Sequence, residues 1–334
     1  MRTIDWVDDR IRLIDQTRLP GEVVVLDIDA VDTLIDAIGR LAVRGAPALG
    51  VAGALGVALL ARRYPRTEDR TALHEAASRL QAARPTAVNL AWGVDRALAR
   101  LDDGPEAVLA EALRIRDEDI AACTAMGERG ADLVRKLTGA ARPRVMTVCN
   151  TGALAAVERG TALGIVQTLF ERDQLADVLA LETRPLLQGA RLTTWELTRM
   201  GAPFRLLVDS AGPFLLARGQ ADAVIVGADR VAANGDVANK VGTFSLALAA
   251  SYAGVPFIVA APESTVDQDT PNGDAIKVED RDSDEVTSFH GVKTAPAGTE
   301  TVNPAFDITP HRLVTALVTE HRVVRLASGE TLDA

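Results

Sequence analysis

Two rhythms of hydrophobic and polar positions meet near residue 140. Before it, apolar residues recur every three to four positions in Ala-, Leu- and Arg-rich stretches over residues 31–63, 71–83, 88–101 and 105–137. That period belongs to helices with one buried face, and the connections carry Pro, Gly or Asp. A β-like run, "EVVVLDID", precedes them. From Arg144 onward, short runs rich in Val, Ile and Leu alternate with helical patterns: "RVMTVC", "ADVLALET", "FRLLVD", "AVIVGAD" and "VPFIVAAP". Each run is apolar on both faces, as in a parallel sheet covered on both sides. Helix-like stretches such as "GALAAVERGTALGIVQTLFERD" and "NKVGTFSLALAASYAG" separate them. Alternation of this kind predicts a doubly wound α/β domain. The chain therefore divides into a mainly helical part, residues 1–140, and an α/β part, residues 141–334. Residues 267–304 are polar and read as a surface excursion.

The stretch "GAPALGVAGALGVALLA", residues 45–61, is apolar enough to suggest a membrane span. It falls short of the roughly 20 residues a span needs. Arg44, Arg62 and Arg63 bound it closely, and Gly50, Gly53 and Gly56 repeat at a spacing that lets another element approach. A buried helix is the expectation. The first residues, "MRTIDWVDDRIRLIDQ", are charged throughout and contain no signal-peptide core, so a cytoplasmic location is expected.

Composition narrows the classes. The 334 residues carry a formal net charge of -10. A chain so acidic is a poor candidate for wrapping nucleic acid, although local basic clefts for anions remain open to it. Two cysteines make no disulfide framework, and the four histidines, His74, His290, His311 and His321, are scattered without metal-ligand spacing. No dinucleotide fingerprint, Walker A loop or nucleophile elbow is present.

In an open α/β sheet, ligands gather at the carboxyl ends of the strands. That rule selects Cys149, Glu182, Asp209 and Asp229, with Asn150, Gln188, Asn239 and Lys240 in the loops behind them. Cys149 reads either as a small buried residue or as a thiol whose following "NTGAL" turn and helix would favour the thiolate through exposed N–H groups. Asp229 follows Gly227 and Ala228, which leave room around it, or else it caps a helix or pairs with Arg230. Asn239 looks like a helix N-cap with Lys240 in the first turn, where N–H groups and ammonium together would hold an anion. Arg44, Gly45 and Ala46 precede Pro47, which suits the first helical position, and form a second anion seat. Arg84 stands before a proline, where helices stop or start. From the residues alone, the reading is an anion-binding acid/base site that contains a cysteine.

Six ordered blocks, "RGAPALG", "RPTAVNLAW", "VCNTGALA", "ETRPLLQGARLTTWEL", "GADRVAANGDVANKVGT" and "VNPAFDITP", resemble methylthioribose-1-phosphate isomerase over nearly the whole chain. These enzymes of methionine salvage share their fold with alpha-, beta- and delta-type subunits of translation initiation factor 2B. The resemblance implies a mainly helical N-terminal domain with a small sheet that contributes substrate-binding loops. It implies a Rossmann-like catalytic domain after it, and a homodimer. It also implies conversion of 5-methylthio-α-D-ribose 1-phosphate to 5-methylthio-D-ribulose 1-phosphate. The catalytic pair then falls on Cys149 and Asp229, and substrate binding on Arg44, Gly45, Ala46, Arg84, Gln188, Asn239 and Lys240. Asp229 would be the acid at the ring oxygen. Cys149 would take the C2 proton, or support a hydride shift. No metal or cofactor is required by either path, and neither nucleic acid nor membrane is an expected partner.

The chain departs from the family in "VDSAGPFLLARG", with Ser210 where Asn is usual and Phe214 where His is frequent. These two positions are expected near the site entrance, where they would bear on the 5-substituent. Two alternatives therefore accompany the isomerase: a sister enzyme acting on 5-deoxyribose 1-phosphate or ribose 1,5-bisphosphate, and a non-catalytic subunit of the same fold. A subunit of that kind has no need for both Cys149 and Asp229.

Overall fold

The computed structural model describes residues 2–84, 87–289 and 291–332; Pro85 and Thr86 of the "RPTAVNLAW" block, and His290, lie outside them. The chain begins as an antiparallel meander of β1 (Ile4–Val7), β2 (Arg10–Ile14) and β3 (Val25–Ile28). Periodicity expects only the last of these. In β2, Ile11 and Leu13 are buried while Arg10 and Arg12 are exposed.

Helices α1 (Val31–Gly39), α2 (Ala46–Arg63), α3 (Arg70–Gln81) and α4 (Val88–Leu98) follow, and then α5 (Pro105–Thr138). The expected continuous helix over 31–63 is broken. Leu41 takes a left-handed φ of 64° and Gly45 a φ of 98°, so the chain turns twice before α2 starts. The break is what frees Arg44 from a helix. α2 is buried, as expected, and its glycines are crossed by α4. A Cβ on Gly93 would meet the Gly50 carbonyl oxygen at 2.0 Å, and one on Gly53 would meet that of Leu90 at 2.8 Å. Backbones this close leave no space for side chains.

α1 to α4, the first half of α5 and the meander share one apolar core. α5 is 34 residues long, about 50 Å. Its Val108, Ala112 and Ile115 belong to that core, whereas Ala131, Leu133 and Val134 pack on the large sheet.

The remaining elements are β4 (Arg144–Thr147), α6 (Ala162–Glu171), β5 (Asp177–Leu181), α7 (Thr194–Met200), β6 (Phe204–Leu207), α8 (Ala211–Ala217) and β7 (Ala223–Val226). Then come β8 (Arg230–Ala232), β9 (Val237–Lys240), α9 (Thr243–Ala253), β10 (Phe257–Ala260), β11 (Val266–Asp267), α10 (Asp284–Thr287), β12 (Ser288–Phe289), β13 (Val292–Lys293), β14 (Phe306–Thr309), β15 (Ala316–Val318) and β16 (Val323–Val324). Seven strands form the main sheet in the order β16-β15-β10-β7-β4-β5-β6, parallel except for β16. Alternate residues supply its two faces. Val145, Val178, Ile225 and Ile258 meet α5 and α6, whereas Met146, Leu179, Val224 and Val259 meet α8 and α9. This is the expected α/β class: a Rossmann-like sheet behind a mainly helical region with a small sheet of its own. The order runs outward in both directions from β4, so β4 and β7 flank the switch point where such sheets bind ligands.

Two expected helices differ. Residues 152–173 form a short turn (Ala153–Ala155), a loop and then α6. Residues 239 and 240 lie on β9, which belongs to a second sheet of order β11-β8-β9-β14. Asn239 is therefore no helix cap; Gly242 precedes α9.

Candidate active site

Cys149 follows β4, and Asp229 follows β7, on either side of the switch point. Cys149 holds a left-handed φ of 66°, uncommon for a residue with a side chain. Two threonines fix it there. The Cys149 N–H donates to Thr183 Oγ1 at 2.8 Å, and Thr193 Oγ1 donates to the Cys149 carbonyl at 2.6 Å. The Asp229 N–H donates to the Ala238 carbonyl at 2.9 Å, which ties it to β9. Asp229 caps no helix, and Arg230 pairs with Asp267 at 3.2 Å.

One pocket collects the nine site residues that the family resemblance implies: Arg44, Gly45, Ala46, Arg84, Cys149, Gln188, Asp229, Asn239 and Lys240. Gly45 is needed where it is, since a Cβ there would meet the Ala155 carbonyl at 2.5 Å. The close approach brings the start of α2 against the turn behind Cys149. Glu182 lines a neighbouring groove instead, and Asp209 accepts the N–H groups of Thr183 and Arg184 at 2.8 and 2.7 Å, a structural task at the end of β5. Leu41, Arg44, Leu186 and Gln188 line both spaces, so the pocket opens onto that groove of about 800 Å³. Neither Ser210 nor Phe214 lines either space, and Phe214 is 64% exposed on α8. Their expected place at the entrance is thus corrected. α8 lies over the outer end of the sheet.

Arg44 is buried, and its guanidinium is held on three sides. Nε donates to Gln16 Oε1 at 3.0 Å, Nη1 to the Asn150 carbonyl at 2.7 Å, and Nη2 to Asn150 Oδ1. Asn150 in turn donates from Nδ2 to Glu196 Oε1 at 2.7 Å. Glu196 also accepts from the Ala153 and Leu154 N–H groups at 2.7 and 3.3 Å. These are the N–H groups that the sequence suggested would favour a Cys149 thiolate. The Glu196 carboxylate occupies them, and no α-helix starts there. Burial pushes the Cys149 thiol up, with Arg44 and Lys240 opposing it.

Burial also raises the Asp229 carboxyl, against the pull of Lys240, Arg84 and Arg44. Lys240 is only 7% exposed and makes no ion pair among the described residues; burial lowers its ammonium. Its Nζ stands 5.2 Å from the Phe306 ring centre. The start of α9 is no anion seat, because Asp307 accepts the Gly242 and Phe244 N–H groups at 2.7 and 3.0 Å. The cation, not the helix end, is what faces the pocket.

Sequence reasoning missed Arg281, Phe306, Thr151 and Thr161 in the lining. Thr151 Oγ1 and Gln188 Oε1 are buried without a hydrogen-bond partner, an unusual state for interior polar atoms and one that a polar ligand would relieve. The charged lining among the described residues is Arg44, Arg84, Lys240 and Arg281 against the single carboxyl of Asp229. That surplus suits a dianion, and the described residues contain no cluster arranged to hold a metal ion.

Residues 42–325 match the model of the initiation factor 2 subunit family. The chain belongs to that family. Within the initiation factor 2 subunit family it is 53% identical over 95% of its length to an Anaeromyxobacter sp. (strain Fw109-5) protein named methylthioribose-1-phosphate isomerase, covering 92% of it. It is 49% identical to a Moorella thermoacetica protein named 5-deoxyribose 1-phosphate isomerase, over 96% of this chain and 93% of that one. It is 52% identical to a Nocardia farcinica protein described as a probable bifunctional methylthioribose-1-phosphate isomerase/methylthioribulose-1-phosphate dehydratase, where it spans 97% of itself and 60% of the relative. The crystal structure of 5-methylthioribose 1-phosphate isomerase from Pyrococcus horikoshii superposes with a TM-score of 0.88 at 37% identity, covering 97% of this chain and 92% of that one.

Proposed function

We propose that the chain is an aldose–ketose isomerase that converts 5-methylthio-α-D-ribose 1-phosphate to 5-methylthio-D-ribulose 1-phosphate in methionine salvage. The observation that carries the reading is Lys240: a buried ammonium with no ion pair among the described residues, sharing its pocket with Cys149 and Asp229. An anion completes such a site, since a buried cation without a partner is strongly disfavoured.

Phosphate on the anomeric oxygen stops the sugar from opening on its own. Asp229, whose carboxyl burial raises, gives its proton to the ring oxygen as the bond from C1 to that oxygen breaks. Hydrogen then passes from C2 to C1 with its electron pair, and the C2 hydroxyl loses its proton as the ketone forms. One proton enters and one leaves, so the sum is neutral. A hydride route fits Cys149 better than proton abstraction does, because a thiol raised by burial is a poor base at neutral pH. Leu41, Leu186, Ala156, Ala228 and Phe306 give the pocket an apolar lining that suits a methylthio group and keeps water from the reacting carbons.

The same reading divides the chain near residue 140 into a part that supplies substrate-binding loops and a catalytic part. It also gives a cytoplasmic homodimer that requires neither nucleic acid nor membrane. The exposed Leu206, Val208, Phe214, Leu248 and Tyr252, on β6, α8 and α9 or just beyond β6, are surface a second copy would cover. Phe214 would then serve that contact.

Turnover of 5-methylthioribose 1-phosphate, 5-deoxyribose 1-phosphate and ribose 1,5-bisphosphate tests the reading. The methylthio sugar is expected to give the highest kcat/KM, and its product formed in D2O to carry no deuterium at C1. Preference for the 5-deoxy or 5-phospho sugar would reassign the substrate. Deuterium approaching one atom per product would replace the hydride step with a proton step.

A further inference from the structure

The strap between β11 and β14 carries into the pocket a residue that neither the strand-end rule nor the family resemblance selects. Arg281 lines the pocket beside Lys240 and Phe306. Its backbone is clamped to the segment that leads into β14. The Arg281 N–H donates to the Asn303 carbonyl at 3.0 Å, and the Ala305 N–H donates to the Glu279 carbonyl at 2.8 Å. The guanidinium is then oriented by two carboxylates. Nε and Nη2 donate to Glu285 at 2.9 and 2.6 Å, and Nη1 donates to Glu279 at 2.7 Å. Of the five N–H groups an arginine carries, one on each terminal nitrogen is left over. From the connection between α3 and α4, Arg84 reaches the same Glu279 at 3.5 Å, long for an ion pair. Glu279 is thus shared between two pocket arginines that come from distant parts of the chain.

We propose that Arg281 is a phosphate-binding residue of this pocket, and that Glu279 stands in for the phosphate by holding Arg84 toward Arg281 until substrate takes Arg84 over. The proposal rests on the sugar-phosphate reading above and names further residues of the same site. Glu279 offers Arg84 one oxygen at long range, whereas a phosphate dianion offers more charge and three oxygens, two of which match a guanidinium fork. Arg281 keeps its bonds to Glu285 and Glu279 when Arg84 leaves Glu279. Of these two arginines, one is held in place and the other is handed over.

The test uses the full chain, with inorganic phosphate as the probe in a binding titration and as a competitive inhibitor of turnover. Arg281→Met is expected to weaken phosphate binding and raise KM by roughly ten- to a hundredfold, with kcat changed far less. Arg281→Lys, which keeps the charge and loses the fork, is expected to fall between. Glu279→Gln removes the competing charge and leaves Arg281 its Glu285 partner, so phosphate binding is expected to tighten several-fold. A merely structural strap does not produce that gain. Unchanged phosphate affinity in a folded Arg281→Met protein, or weakened affinity in Glu279→Gln, would overturn the proposal. If Arg281→Met does not fold, Glu279→Gln decides alone. Wild-type protein that turns over no sugar 1-phosphate but still shows these phosphate effects would sink the isomerase reading and leave the anion site standing. Turnover without the phosphate effects would sink only the role of Arg281.

Discussion

Burial acts on Cys149 and Asp229 in the same direction and so gives them different chemistry. Both are pushed toward their neutral forms, which favours the proposed roles of Asp229 as proton donor and of Cys149 as a thiol and not a base. Asp229→Asn keeps the shape and removes the acid. It is expected to lower kcat by at least about 10²- to 10⁴-fold, because ring opening has no easy alternative route. Substrate affinity is expected to hold, since Arg44, Arg84 and Lys240 come from other elements. Cys149→Ser replaces the thiol with a hydroxyl of similar reach and is expected to lose less than Asp229→Asn. An equal loss would mark Cys149 as the base. If these residues merely pack, both variants show lowered melting temperatures with near-normal kcat. Measuring kcat, KM and melting temperature on each separates the cases.

Elements place these residues through backbone contacts more than through side chains. Because α4 crosses α2 at Gly50 and Gly93, Gly93→Ala would push a methyl into a carbonyl oxygen. The expected loss is about 2 kcal/mol or more of stability together with a raised KM, because the start of α2 carries Gly45 and Ala46. Gly39→Ala, with nothing within 4 Å of the new methyl, is the control and is expected to leave both unchanged. Urea unfolding and steady-state kinetics check the pair. Five of the six parallel strands and this glycine-lined helix were legible in the sequence, because each lies in an apolar run of a length and composition suited to its element; β15 was not read. The small sheet of β11, β8, β9 and β14 was not legible, since strands such as "VANK" and "FDIT" mix polar with apolar residues and leave no continuous apolar run. A signal was nonetheless there: Asn234-Gly235 between apolar runs is a hairpin signature, and it puts Asn239 and Lys240 on a strand. The strand-end rule found Cys149 and Asp229 because topology alone puts them at the switch point. It could not find Arg281, which reaches the pocket from a polar loop through contacts with Glu279, Glu285 and Asn303 that leave no periodic trace. Glu196 was hidden for a related reason: its task is to occupy N–H groups of a turn that the sequence reads as a helix.

Across the whole molecule, α5 joins the helical core to the large sheet, and its midpoint meets the loop behind Cys149. There Asp119 Oδ2 accepts the Val157 N–H at 3.0 Å, while the Val157 carbonyl accepts the Thr3 N–H at 3.1 Å. Helix, meander and active-site loop are thereby held at one point. The cavity around Asp119 also has Glu118, Glu263 and Glu320 in its lining, and Cys123 Sγ lies 4.0 Å away. Burial raises the Asp119 carboxyl to about 7, with the Val157 N–H opposing and Glu320 adding to the rise. Asp307, also raised by burial, sits at about 6. The folded protein keeps these protons where the unfolded chain has released them, so it binds more protons between about pH 4 and 7. Stability therefore falls as pH rises through that window. Asp236, at about 2 through its bonds to Asn234, His311 and Gly273 despite its burial, works the other way: the stability it adds is lost as pH drops from about 4 to 2. Maximum stability is accordingly expected on the acidic side of neutral. Asp119→Asn keeps an acceptor for the Val157 N–H and removes the titration. Its stability advantage over the natural protein is expected to grow by on the order of 2 kcal/mol between pH 5 and pH 8. Urea unfolding of both proteins at the two pH values measures it. A constant difference would place the Asp119 carboxyl in the ordinary range and leave α5 joined to the active-site loop by a bond indifferent to pH.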